Sequence, residues 1–375
     1  LGLAAAYRVL ALAHVADPSL PQGSRAQRRA LQVGLRFMHL ASNWLTHAFV
    51  KYDADAEYID GTPWPITIQE SADEHRVVMA MLSGGGSASA ATTSGVRASV
   101  PHDVRAPGLS IAIVSLCAYP DGHVLPKYAV SNHKMYAARH GYDYFVATER
   151  VDDSRPPAWG KVRLVQQYVK MRHWDWVMWA DCDVYFMNLS VTLDSLLLRH
   201  GNLDEPGFNF LVTEDHAMLN TGIFLARSTD WTEAMLERIW GPPDSVWTHH
   251  PWWEQAAMSW DFWSHLHERF RVENHAVWSA LNLGSADDDM EGIYPAEVRV
   301  AAQVEFNSYH PITSRFLADT WAPGKFVLAF NGVTSSSSPT VARELYIRYY
   351  ETFCALNHVE HLCLEVAEPL PWSQS

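Results

Sequence analysis

The stretch Trp174-Asp175-Trp176-Val177-Met178-Trp179-Ala180-Asp181-Cys182-Asp183-Val184-Tyr185-Phe186-Met187-Asn188 decides how the rest of the chain is read. An apolar, aromatic run of strand length stops at two aspartates one residue apart, and an apolar run then resumes. Such a run reads as a strand buried on both faces of a parallel sheet. An unpaired carboxylate costs several kcal/mol to bury, so Asp181 and Asp183 at the end of a hydrophobic strand require a cation. Hard divalent ions with oxygen ligands suit that position, and Mg²⁺ or Mn²⁺ commonly bridges carboxylates to phosphates. Taken alone, Asp-x-Asp also describes an ordinary strand end turning into solvent. The flanking Trp/Met/Phe run and the motifs on either side favour the cation.

Upstream, residues 109–117 have strong β character and lead into a turn at Tyr119-Pro120-Asp121-Gly122. Residues 128–140 show helical spacing and stop at Gly141, a suitable C-terminal cap. A second strand over 142–147 and a helix over 161–172 follow, and then the strand that ends at the aspartates. This β-α-β-α-β order implies right-handed crossovers and a parallel, doubly wound sheet. Ligands of such sheets sit at the carboxyl ends of the strands, where Asp181 and Asp183 fall. Downstream, strands are expected over 210–213, 220–227, 300–306 and 325–330. Helices are expected over 193–199, 231–240, from 249 onward, and over 343–356. Asp287-Asp288-Asp289 reads as a solvated loop.

Residues 1–82 look mostly helical, with a turn-rich break from Tyr58 to Pro65. Residues 83–108, rich in Ser, Gly and Ala, read as a flexible linker. The main α/β domain then runs over 109–375. The apolar opening over 1–16 is too short to span a bilayer and is interrupted by Arg8.

The chain has 375 residues and a formal net charge of −14, which argues against nucleic-acid binding through a basic surface. Its sixteen tryptophans and fifteen tyrosines are numerous; most such rings fill cores, though they also cover sugars. The four cysteines, Cys117, Cys182, Cys354 and Cys363, make no Cys-x-x-Cys pair. Cys354 and Cys363 are near enough to close a small disulfide loop, and two buried thiols fit the sequence equally well. Asn188-Leu189-Ser190 is a formal glycosylation sequon, but its nearness to the aspartates argues against modification.

Taken together, residues 109–355 resemble glycosyltransferase family 34, which includes yeast α-galactosyl- and α-mannosyltransferases and plant xyloglucan xylosyltransferases. The resemblance is carried by Lys127, Asn132-x3-Tyr136-Ala137, His140-Gly141-Tyr142 and Trp159-x-Lys161. It continues through Trp179-Ala180-Asp181-Cys182-Asp183 to Met187-Asn188, then Asn220-Thr221-Gly222-x-Phe224-x-x-Arg227-x3-Trp231. Glu254-Gln255, Asn307-Ser308-Tyr309 and Trp321-x-x-Gly324-x-Phe326 complete it. The resemblance implies a GT-A fold, a Rossmann-like, mostly parallel sheet flanked by helices, here with a helical N-terminal extension. It also implies retaining transfer from a UDP- or GDP-sugar to a glycan hydroxyl. Asp181 and Asp183 then match the family's metal motif, with Mn²⁺ or another divalent cation neutralising the diphosphate leaving group.

On this reading Leu116 and Cys117 border the nucleotide, and Lys161 reaches a phosphate or the aspartates; an exposed helix lysine is the plain alternative. Asn220, Thr221 and Gly222 lie at the donor sugar, although a strand start needing a small residue reads the same way. Glu254 orients a donor hydroxyl or acts as acceptor base, and Gln255 lies under the anomeric carbon. Retention goes through a covalent intermediate or by same-face attack, and an amide is a poor nucleophile, which favours same-face attack.

Two departures stand out. The family's His-Phe-x-Gly-Cys stretch, whose histidine is a metal ligand, reads Ala329-Phe330-Asn331-Gly332-Val333, and the basic residue that often follows falls at Thr334. Asn331 or water is left to supply an oxygen. The clusters His249-His250 and His265/His267 are weak candidates for a replacement ligand. Two further readings stay open: a non-catalytic relative serving as partner subunit of other glycosyltransferases, and a carbohydrate-binding protein using Trp247, Trp252, Trp253, Trp260 and Trp263. For the transferase, the expected place is the Golgi lumen, with a membrane anchor outside this chain.

Overall fold

The computed structural model describes residues 58–59, 62–63 and 100–363, except 216–218, 246, 251, 273–293, 314–319, 334–336 and the side chains of 263–272. The expected helices before residue 58, most of the linker, the Asp287–Asp289 loop and Thr334 lie outside the described residues. Strands β1 (Tyr58–Ile59) and β2 (Thr62–Pro63) pair antiparallel inside the turn-rich break.

The main sheet uses β3 (Ile111–Leu116), β4 (Asp143–Ala147), β5 (Trp176–Ala180), β7 (Phe210–Glu214), β8 (Leu219–Arg227) and β9 (Val298–Ala301), in the order β4-β3-β5-β8-β7-β9. The class is α/β, as expected, with a mostly parallel sheet flanked by helices. Strand β3 is parallel to β4 and β5, and β7 is parallel to β9. Strand β8, however, runs antiparallel to both β5 and β7. The sheet is therefore mixed rather than uniformly parallel. The link from β7 to β8 is too short for a crossover, which needs a dozen residues or more, so the two strands must reverse.

The aromatic run of β5 is buried along its whole length, at 2 % exposure or less. Trp176, Met178 and Ala180 enter one core, and Val177 and Trp179 the other, so the period of two fills both faces. Helices α1 (Val124–His140), α3 (Leu193–His200) and α7 (Pro339–Leu356) pack on the first face. Helices α2 (Gly160–Met171), α4 (Asp230–Trp240) and α5 (Trp253–Val272) pack on the second. Gly141 caps α1 in the left-handed region, φ 65°, its N–H donating back to the last carbonyls.

A smaller sheet sits beside the aspartates, with β6 (Val184–Phe186), β10 (Ser308–Tyr309) and β11 (Val327–Ala329) in the order β10-β11-β6. The open edge of β6 is closed by side chains of α1. Asn132 donates from Nδ2 to the Phe186 carbonyl at 3.2 Å and accepts the Phe186 N–H at 2.7 Å, and His133 Nε2 lies 2.9 Å from the Val184 carbonyl. The stretch expected as a strand over 300–306 is instead the end of β9 followed by one helical turn, α6 (Gln303–Phe306). Gln303 and Phe306 are its buried residues, a spacing of three that a strand cannot present on one face. The turn lets Asn307 donate to Thr213 Oγ1 at 3.1 Å.

Residues 102–106, inside the expected linker, hydrogen-bond to α3 and the residue that caps it. The His102 carbonyl accepts from the Thr192 N–H and Ser195 Oγ, each at 2.8 Å, and the Ala106 N–H donates to Asp194 at 2.9 Å. Asn188 uses its amide on the Gly324 carbonyl and accepts from the Ser190 N–H, so both ends of its side chain are engaged. Cys354 and Cys363 form a disulfide that ties the end of α7 to the short helix α8 (Glu360–Cys363).

Candidate active site

The Asp-Cys-Asp turn is held from three directions. The Asp181 N–H donates to the Gly222 carbonyl of β8 at 2.8 Å, and the Phe330 N–H, just past β11, donates to the Asp183 carbonyl at 2.8 Å. The third tie is a disulfide between Cys117 and Cys182, with Cα atoms 5.2 Å apart. Sequence reasoning missed this bond. Its signal was the strand register: β3 and β5 pair Val114 with Trp179, and carrying that offset three residues on sets Cys117 opposite Cys182.

Lys161 comes from the first turn of α2 and is buried. Its ammonium lies 3.1 Å from Asp181 Oδ1 and 2.9 Å from Glu254 Oε1, and it donates to the Thr221 carbonyl at 3.1 Å. Burial alone would lower its pKa, but the two carboxylates outweigh that and hold it charged, above its ordinary value. The lysine therefore reaches Asp181 rather than solvent. Trp179 adds an indole N–H to Asp181 Oδ1 at 2.7 Å.

Glu254, at the start of α5, accepts from Thr221 Oγ1 at 3.0 Å. Its other oxygen, Oε2, is buried with no partner among the described residues. Burial pushes its carboxyl above the ordinary range, against the pull of Lys161. Gln255 accepts the Thr221 N–H at 3.1 Å. Asn220 accepts the Gly222 N–H at 2.9 Å and donates to Asp215 Oδ2 at 2.9 Å, an oxygen that also accepts from the Tyr309 hydroxyl. Asp215 is buried, and its carboxylate ties Asn220 to Tyr309. A Cβ on Gly222 would lie 3.0 Å from Asn220 Oδ1 and 3.4 Å from both Asp181 Oδ2 and Asn331 Nδ2. Glycine is what keeps that space open.

Among the expected donor residues, Asp181, Lys161, Asn220, Thr221 and Gly222 thus meet Glu254 and Gln255 in one connected cluster. Leu116 and Cys117 stand differently. The Cys117 thiol is consumed in the disulfide and its N–H bonds the Ala147 carbonyl at 2.8 Å. Leu116 packs on α2, where a Cβ on Gly160 would come within 2.8 Å of its Cδ2. His250 is buried between Trp247 and Trp252, and His249 is exposed. The side chains of His265, His267 and Trp263 lie outside the described residues. Trp247, Trp252 and Trp260 are half-buried against the second core, whereas Trp253 is 42 % exposed and sits at φ 41°, a strained backbone for a bulky residue.

Asp183 is half-buried, and this burial together with the charge of Asp181 raises its carboxyl above the ordinary range. A carboxylate raised by its neighbour's charge is stabilised by a cation shared between the two. Among the described residues, no cluster of three or more His, Cys, Asp or Glu side chains is arranged for a metal. Ala329 is fully buried and pairs with Val184, so nothing at that position coordinates. Asn331 Oδ1, however, is buried with no partner among the described residues, on the side chain that borders Gly222. Two carboxylates and an amide oxygen fit a hard divalent ion of the Mg²⁺ or Mn²⁺ kind.

Residues 113–208 match the model of the galactosyl transferase GMA12/MNN10 family. An alpha-1,2-galactosyltransferase of Schizosaccharomyces pombe, described as uncharacterized, is 26 % identical over 157 residues, covering 34 % of this chain and 45 % of its own. The probable alpha-1,6-mannosyltransferase MNN10 of Saccharomyces cerevisiae is 25 % identical over 35 % of this chain and 40 % of its own. Xyloglucan 6-xylosyltransferase 4 of Arabidopsis thaliana is 26 % identical over 34 % and 25 %. The chain spans less than half the length of these curated relatives. Among solved structures, a glycosyltransferase involved in glycosylation of the major capsid of PBCV-1 aligns with a TM-score of 0.43 at 14 % identity, over 64 % of this chain and 99 % of that one. Galactosyltransferase LgtC aligns with a TM-score of 0.31 at 12 % identity, over 64 % and 95 %. Residues 113–208, which hold both aspartates and Lys161, are thus similar to glycosyltransferase family 34.

Proposed function

We propose that this protein is a metal-dependent, retaining glycosyltransferase of GT-A type that moves galactose, xylose or mannose from a nucleotide sugar to a glycan hydroxyl. The observation that carries the reading is the buried Lys161, paired at once with Asp181 and Glu254. It joins the aspartate that would face a diphosphate to the glutamate that would face the sugar. Asp181 and Asp183 would hold a divalent ion, which would supply charge neutralisation for the departing diphosphate. Lys161 adds a second positive charge whose partners are exchangeable for phosphate oxygens. Glu254 Oε2 has no donor among the described residues and is available to a donor-sugar hydroxyl, while Thr221 fixes Gln255 beneath the sugar. In same-face transfer the C1–O bond to phosphate breaks, the C1–O bond to the acceptor forms, and the acceptor proton passes to a phosphate oxygen. Exposed Trp253, adjacent to Glu254, offers an aromatic face to the acceptor.

Two disulfides belong to an oxidising compartment, which supports the Golgi lumen. No helix among the described residues is long and apolar enough to cross a membrane. The second reading, a non-catalytic partner subunit, draws on Ala329 in place of a metal histidine.

Incubation with Mn²⁺, an oligosaccharide acceptor and a panel of UDP- and GDP-sugars separates the two. Release of nucleoside diphosphate that is lost in D181A and D183A supports the transferase. No release and no thermal shift with any nucleotide supports the partner subunit.

A further inference from the structure

We infer that Asn331 supplies the third protein oxygen to the divalent ion, in place of the histidine that Ala329 lacks, so that the site is built of oxygen alone. This rests on the transferase reading above and adds a ligand and an ion preference to it. Asn331 follows Phe330, whose N–H is bonded to the Asp183 carbonyl, so the backbone sets it against the Asp-Cys-Asp turn. Its Nδ2 and Asp181 Oδ2 both lie 3.4 Å from the point a Cβ on Gly222 would occupy. The amide nitrogen thus faces a region of negative charge, while Oδ1 is buried with no partner among the described residues. A buried, unbonded carbonyl oxygen is costly, and a half-turn about the broad terminal amide torsion exchanges oxygen for nitrogen. With a cation between the carboxylates, that half-turn gives the oxygen a partner. Ala329, by contrast, points a methyl group into the core.

An amide and two carboxylates form a hard donor set, suited to Mg²⁺, Mn²⁺ and Ca²⁺, whereas an imidazole would draw the site toward Zn²⁺. Mn²⁺ binding is measured by electron paramagnetic resonance of the free ion, titrated to millimolar concentration, on the wild type, N331A, N331D, A329H and D183A. N331A should weaken Mn²⁺ binding by roughly tenfold or more, N331D should restore it, and A329H should raise the preference for Zn²⁺ over Mn²⁺. In EDTA, N331A should melt at or above the wild-type temperature, since it removes an unbonded oxygen. N331D, which keeps the side-chain shape, guards against loss of folding in N331A. Wild-type affinity in N331A together with loss in D183A overturns the assignment and leaves the transferase reading standing. Wild-type affinity in both variants, or no Mn²⁺ binding by the wild type, overturns both.

Discussion

The Nζ of Lys161 lies 2.9 Å from Glu254 Oε1, with both side chains almost wholly buried. Removing one partner of such a pair strands the other's charge in the protein, at a cost of about 3–5 kcal/mol. K161M should lose about that much stability in chemical denaturation. K161M/E254Q, which removes both charges, should recover a substantial part of it. Simple addition of the two single losses would show that the pair is not coupled.

The Cys117–Cys182 bond closes a loop of 65 residues, against 9 for Cys354–Cys363. In the chain-entropy account the longer loop stabilises by about 2 kcal/mol more. C117S/C182S should therefore be the less stable of the two double variants in urea. It alone should also weaken Mn²⁺ binding, because Cys182 stands between the two aspartates. Equal Mn²⁺ affinity in both variants would show that the bond does not hold the turn in place.

His133 is enclosed by Ser115, Tyr144 and the Val184 carbonyl. Burial lowers its pKa from 6.5 to about 4, partly offset by the Val184 carbonyl. The unfolded chain takes up a proton over this range that the folded chain refuses, so this contribution is full above pH 6.5 and falls as the pH drops. The loss is about 2 kcal/mol by pH 5. Urea midpoints at pH 7 and pH 5 should differ accordingly, and H133Q should show a smaller difference. An unchanged difference in H133Q would move the acid sensitivity to other groups.

Trp253 is exposed beside the buried Glu254 and held at positive φ. W253A should raise the acceptor KM by about fivefold, roughly 1 kcal/mol, and leave the donor KM unchanged. An unchanged acceptor KM would return Trp253 to the role of a surface residue.

Much of this was legible before any coordinates. The run from Trp176 to Ala180 announced a strand with both faces covered, because only such a strand has no polar side. Gly141 and the helical spacing before it fixed the end of α1. The cluster of Asp181, Lys161, Asn220-Thr221-Gly222 and Glu254-Gln255 was named from motifs. That Lys161 lies between two carboxylates was not, since ion pairs between distant segments leave no periodic trace. The reversal of β8 could be read only from the short link between residues 213 and 220, because a strand buried on both faces reads the same in either direction. Residues 303–306 looked like strand because Gln303-Val304-Glu305-Phe306 alternates polar and apolar side chains, the period of a strand. The Cys117–Cys182 bond needed the register of β3 on β5, which depends on how strands slide past one another.

The most direct test of the central claim is anomalous diffraction at the manganese edge from crystals soaked with Mn²⁺ and a nucleoside diphosphate. The account predicts a single strong peak about 2.0–2.4 Å from carboxylate oxygens of both Asp181 and Asp183, with the diphosphate on its far side near Lys161. A nucleotide bound elsewhere, or a cleft with no manganese between the two aspartates, would contradict it.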